Sequence, residues 1–174
     1  MARDTGTVHM KQSDFRLPLD GGCRCGTVRY QVSSSPAFIF ACHCTDCRQL
    51  TAGAFSIGMP VPREGFAVTA GDPRVWTKIA DSGKPSHQYW CPTCHGWTHT
   101  IAEGSPGMVI VRATTLDAYE WVRPVGQIFL RSSYPWARLQ VPLSYETEFD
   151  DAGPLKSAFA NSGIRPDAEE LKNA

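Results

Sequence analysis

All seven cysteines of this 174-residue chain fall into three tight clusters: Cys23-x-Cys25, Cys42-x-Cys44-x-x-Cys47 and Cys91-x-x-Cys94. Spacings this short bring thiolates onto one metal ion and suit disulfides poorly, because near neighbours rarely meet the geometry an S–S bond requires. A Cys-x-Cys on or beside a strand puts both side chains on one face, since the side-chain period is two. A Cys-x-x-Cys closes a turn whose sulfurs converge, and Pro92 and Gly96 flank the third cluster with the residues such a knuckle needs. Incidental free cysteines are the bland alternative, and they do not account for the clustering. Nor does a chain of this length need disulfide staples to build a core. Two four-coordinate zinc sites are one ligand more than seven cysteines can fill, and an open coordination position is where zinc does chemistry.

Composition narrows the classes. Hydrophobic residues make up 42% and charged residues 20% of the sequence, an ordinary balance for a globular protein, and the length fits one domain. The formal net charge is zero, which argues against a phosphate-tracking surface and so against nucleic acid as a partner. No run approaches the ~18 apolar residues of a membrane helix. Asp4, Lys11, Asp14 and Arg16 interrupt any apolar signal-peptide core near the start. The expectation is a cytoplasmic protein without membrane association, in a reducing compartment where clustered cysteines are metal ligands more often than disulfides.

The pattern is mainly β. Residues 27–32 alternate, with Val28, Tyr30 and Val32 on one face. Short strands are expected at residues 38–41, 55–59, 66–69, 74–77, 87–90, 97–101, 108–112 and 127–130. Turn signals separate them: Ser33–Pro36, Pro60–Pro62, Gly65, Gly71-Asp72-Pro73 and Gly104–Gly107. No window carries a long 3.6-residue period with caps. Residues 1–20 read as a flexible N-terminal arm. Residues 21–149 read as the folded domain. Residues 150–174 read as a polar tail holding a short helix or partly disordered.

Spacing permits two partitions of the cysteines. Cys44, Cys47, Cys91 and Cys94 can form a zinc ribbon, which strands the other three. Alternatively Cys23, Cys25, Cys91 and Cys94 close one site and leave Cys42, Cys44 and Cys47 as three ligands with a vacancy, a division that uses all seven. The run from Gly21 to Tyr30, the run Cys42-His43-Cys44-Thr45-Asp46-Cys47-Arg48 with Gly53 and Phe55, and Cys91-Pro92-Thr93-Cys94-His95-Gly96 resemble the three motifs of the glutathione-dependent formaldehyde-activating enzyme family. Centromere protein V shares that superfamily. Val111–Asp117 and Arg131–Trp136 are also similar to family segments, so the likeness runs from about Gly21 to Phe149. It implies a zinc-containing β-tent of short antiparallel strands with few short helices. It also implies a structural zinc at Cys23, Cys25, Cys91 and Cys94, and a catalytic zinc at Cys42, Cys44 and Cys47, two zinc ions per chain. His95 departs from the family's glycine after the third motif, and Gln127 from a frequent histidine.

Three thiolates make a zinc ion electron-rich and a weak Lewis acid, better suited to holding a thiol as a nucleophilic thiolate than to making hydroxide. The resemblance names glutathione as the thiol. The expected activity is a zinc-dependent carbon–sulfur lyase or synthase, resembling S-(hydroxymethyl)glutathione synthase, that joins glutathione or a related thiol to formaldehyde or another small aldehyde, or does the reverse. Arg48 is a candidate for a substrate carboxylate, and Arg131 and Trp136 for the pocket wall, with solvated-surface and core-packing readings beside them. His43, between two ligands, is expected to point away from the metal. The alternative function is a non-catalytic, zinc-stabilised binding module of the same fold.

Overall fold

The alternation at residues 27–32 resolves into strand β2 (Arg29–Val32), with Val28, Tyr30 and Val32 all buried. β2 pairs antiparallel with β1 (Leu19–Gly22) on one side and with β5 (Phe66–Ala70) on the other, making a three-stranded sheet. The computed structural model describes residues 16–163 of the chain.

The second sheet has eight strands. They are β3 (Phe40–Cys42), β4 (Ser56–Pro62), β6 (Arg74–Ile79), β7 (Pro85–Trp90), β8 (Trp97–Ala102), β9 (Met108–Arg112), β10 (Gly126–Ile128) and β11 (Leu143–Ser144), ordered β11-β10-β3-β4-β9-β8-β7-β6. Every pairing from β3 to β6 is antiparallel, whereas β10 runs parallel to both β3 and β11. The chain returns to the sheet at β10 by a long connection from β9, which permits a parallel approach that a hairpin does not. The core brings together Tyr30 and Val32 from the small sheet with Met59, Val61, Val109 and Val111 from the large one.

Among the described residues two α-helices complete the fold. α1 (Thr45–Thr51) follows β3 directly, and α2 (Gly153–Ala160) buries Leu155 and Phe159, four residues apart on one face. α2 docks over Gly126, where an added Cβ would lie 2.3 Å from a Leu155 methyl, so β10 needs glycine there. Among the described residues no helix is long and apolar enough to cross a membrane.

Two expectations need correction. The end of the supposed arm is packed: Leu17 and Leu19 are buried and β1 starts at Leu19, while residues 1–15 lie outside the described residues. Apolar residues at alternate positions can serve a strand even in a short polar stretch. Pro60–Pro62 is not a turn but the end of β4, paired with β9. β3 reaches β4 only as far as Gly58, and past it Pro60 lends its carbonyl to Ala37 N–H. The missing proline N–H groups therefore fall where no strand needs them.

Candidate metal centres

The seven sulfurs gather as four and three. Cys23 and Cys25 sit in the β1–β2 loop of the small sheet, and Cys91 and Cys94 in the β7–β8 knuckle of the large one. Their Sγ atoms lie within 4.8 Å of one another, Cys23 to Cys25 at 3.5 Å and Cys25 to Cys91 at 3.7 Å. Backbone N–H groups point at the sulfurs: Val28 donates to Cys23 at 3.3 Å, and Thr93 and Cys94 to Cys91 at 3.4 and 3.5 Å. The Thr27 hydroxyl and N–H lower Cys25 to about 6, while burial raises Cys23. Such donors favour thiolate over thiol. The knuckle turns through His95, whose φ of 56° is left-handed.

Cys42 ends β3, Cys44 caps the N-terminus of α1 and accepts the Cys47 N–H at 3.4 Å, and Cys47 lies buried in the first helical turn. All three Sγ atoms also lie within 4.8 Å of one another. Neighbouring sulfurs and burial raise Cys42 well above the ordinary thiol value. Hydrogen bonds from Cys42 and Cys44 lower Cys47 to about 3. Three sulfurs this close share one negative charge readily and resist two more, so a bound cation would let all three ionise together. Both donor sets, sulfur-only and convergent, fit a thiophilic metal ion.

His43 points away from this cluster. It is fully buried, with Nε2 3.2 Å from Gln127 Oε1 and its ring against Phe55. Gln127 is a stitch: Oε1 also accepts from Leu139 N–H, and Nε2 donates to the Leu139 carbonyl and to Ser144 Oγ.

The three-cysteine cluster opens into a cavity of about 530 Å³. Its floor is the face of the large sheet carrying Gln88, Thr100 and Arg112, and its rim carries Lys78, Lys84 and Arg131. Lys78 pairs with Asp46 and Arg131 with Asp81, the latter at 3.4 Å. Gln88 is 4% exposed and its Oε1 has no hydrogen-bond partner among the described residues.

Of the proposed pocket residues, Arg131 lines this cavity, but Arg48 and Trp136 do not. They belong to a separate concavity of about 460 Å³ with Tyr134, over which Arg48 lies at 4.6 Å. Arg48 follows Cys47 by one residue, so it projects about 100° further round the helix. Trp136 is 78% exposed and stacks on Tyr134, so it neither fills the core nor walls the cavity. Sequence reasoning passed over Arg112, Ser56, Gln88, Lys78 and Lys84. The usable signal was Arg112 itself, a charge closing the apolar run Met108–Val111 at the same parity as the cavity-facing Ile110.

A sequence model of the glutathione-dependent formaldehyde-activating enzyme family matches residues 18–132. A crystal structure of a Rhodobacter sphaeroides protein is similar over 60% of this chain and 91% of that chain, at 22% identity and a TM-score of 0.49.

Proposed function

The chain belongs to the glutathione-dependent formaldehyde-activating enzyme family, and on that premise we propose that it is a zinc-dependent carbon–sulfur lyase or synthase. The reaction is addition of glutathione or a related thiol to formaldehyde or another small aldehyde, or its reverse, in a reducing cytosol. One observation carries this reading: three convergent cysteines open onto a cavity, whereas the other four face one another at the seam of the two sheets. A non-catalytic binding module has no need of a three-donor set facing a cavity of this size.

Cys23, Cys25, Cys91 and Cys94 would hold a structural zinc, and Cys42, Cys44 and Cys47 a second one. Zinc in the second site supplies a position where a thiol is held as thiolate at neutral pH. In the addition the sulfur lone pair forms the C–S bond, the carbonyl π pair moves to oxygen, and oxygen takes a proton from solvent; elimination reverses each step. The chain's own residues orient the thiol substrate. Arg131, exposed and paired with Asp81, can exchange that partner for a substrate carboxylate. Gln88 Oε1 offers an acceptor to a substrate N–H or O–H at the sheet floor.

Native mass spectrometry of the wild type and of Cys44→Ser tests the metal assignment. Two zinc ions are expected in the wild type and one in the variant, with circular dichroism unchanged. A single zinc in the wild type, or global unfolding of the variant, overturns it. Exchange NMR of glutathione with formaldehyde and larger aldehydes tests the activity; no acceleration over the Cys44→Ser chain for any aldehyde would favour the binding module.

A further inference from the structure

Three thiolates on a divalent cation leave one net negative charge, and a thiolate as fourth ligand leaves two, in a partly buried site where charge is costly to hold. The chain puts a counter-charge beside them. Arg112, the last residue of β9, is 6% exposed, and among the described residues no other Lys or Arg is buried. Its guanidinium lies over the Trp97 ring at 4.1 Å, donates from Nη1 to Ser56 Oγ at 3.2 Å and from Nη2 to the Ile110 carbonyl at 3.4 Å. Among the described residues Nε has no hydrogen-bond partner. The Arg112 side chain lines the same cavity as Cys42, Cys44 and Cys47, which sets its charge beside the three sulfurs. Ser56, which holds Nη1, lies directly opposite Cys42 across the β3–β4 pair. An apolar side chain of this length would pack over Trp97 without the cost of desolvating a charge. Packing alone therefore does not account for an arginine here.

We propose that Arg112, positioned by Trp97 and Ser56, is the counter-charge of the three-cysteine centre and makes it select an anionic sulfur over a neutral donor as its fourth ligand. The inference rests on the reading of Cys42, Cys44 and Cys47 as metal ligands. It assigns Arg112 a positioning role that acts through charge, and it makes the class of thiol that binds a property of this residue.

The test uses the full chain loaded with cobalt(II), whose absorption reports the ligand in the fourth position. The probes are glutathione, 2-mercaptoethanol, which has no carboxylate, and imidazole, a neutral donor. Arg112→Met should weaken both thiols about ten-fold or more and leave imidazole unchanged, with Arg112→Lys restoring part of the thiol affinity. Equal thiol affinity in wild type and Arg112→Met overturns the inference. A parallel loss of thiols and imidazole also overturns it, since that marks a residue holding the fold alone. If Arg112→Met fails to fold, Arg112→Gln, which keeps a donor for Ser56 but no charge, carries the same expectations and the same overturning results. A wild-type chain that takes up fewer than two cobalt ions, with no thiol-sensitive band, overturns the metal assignment itself and this inference with it.

Discussion

His95 holds φ at 56°, a left-handed conformation in which its Cβ crowds the backbone. The turn cannot relax, because His95 N–H donates to the Cys91 carbonyl and Cys91 N–H to the Gly96 carbonyl, closing the knuckle around the sulfurs. The family's usual glycine there is thus a backbone requirement that this chain meets at a cost of about 1 kcal/mol. Part of that cost is recovered, since glycine would lose more freedom on folding. His95→Gly should stabilise the protein by about 0.5 kcal/mol, a rise of about 1–2 °C in melting temperature with zinc content unchanged. A melting point at or below wild type would show that the imidazole makes a compensating contact. The departure was visible in the sequence; its meaning was not, since a backbone angle is set by the knuckle that closes around it. The Gln127 departure is similar. The side chain at that position is a buried amide that bridges His43, Leu139 and Ser144.

At the scale of elements, the four-cysteine cluster joins pieces that little else in the local sequence brings together. One pair comes from the loop of a three-stranded sheet and the other from a knuckle of the eight-stranded sheet, 66 residues further on between Cys25 and Cys91. A metal held there would close a long loop and fix how β1 and β2 meet β7 and β8. Loss of this site should therefore cost far more stability than loss of the three-cysteine site, which sits within one β3–α1 connection. Cys94→Ser should lower stability by about 3–5 kcal/mol, whereas Cys44→Ser stays within about 1 kcal/mol. Denaturant melts of both variants beside wild type check the ordering, and equal losses would refute it. Strands were legible wherever alternation or an apolar run marked them, as in β2, β8 and β9. α1 was not. It is seven residues long, its cap is Cys44 rather than serine or aspartate, and only Cys47 of its residues is buried, so no apolar period betrays it. The cavity was equally hidden, since it is assembled from β3, β7, β8 and β9, which are distant in sequence.

In the molecule as a whole, stability depends on ionisable groups kept neutral between the two sheets. His99 on β8 lies stacked at 4.4 Å on Tyr89 and at 4.7 Å against Phe66 of the small sheet, with Nδ1 3.0 Å from Thr98 Oγ1. Burial, with the nearby Arg112 charge, lowers it from 6.5 to about 4. The folded state thus binds fewer protons than the unfolded chain between those values. Stability is fully present above the unfolded value and is lost as pH falls toward 4. Between pH 7 and pH 5 the loss amounts to about 2 kcal/mol from this residue. Thiolate protonation adds to the acid sensitivity of any chain with these cysteines, so the discriminating measurement is a difference. His99→Phe keeps the ring stack and removes the titration. Denaturant melts of wild type and His99→Phe at both pH values should therefore show the gap in stability shifting toward the variant by about 2 kcal/mol at pH 5. A gap that stays constant with pH would mean that His99 accepts its proton within the fold, and that the seam between the sheets yields enough to hydrate it.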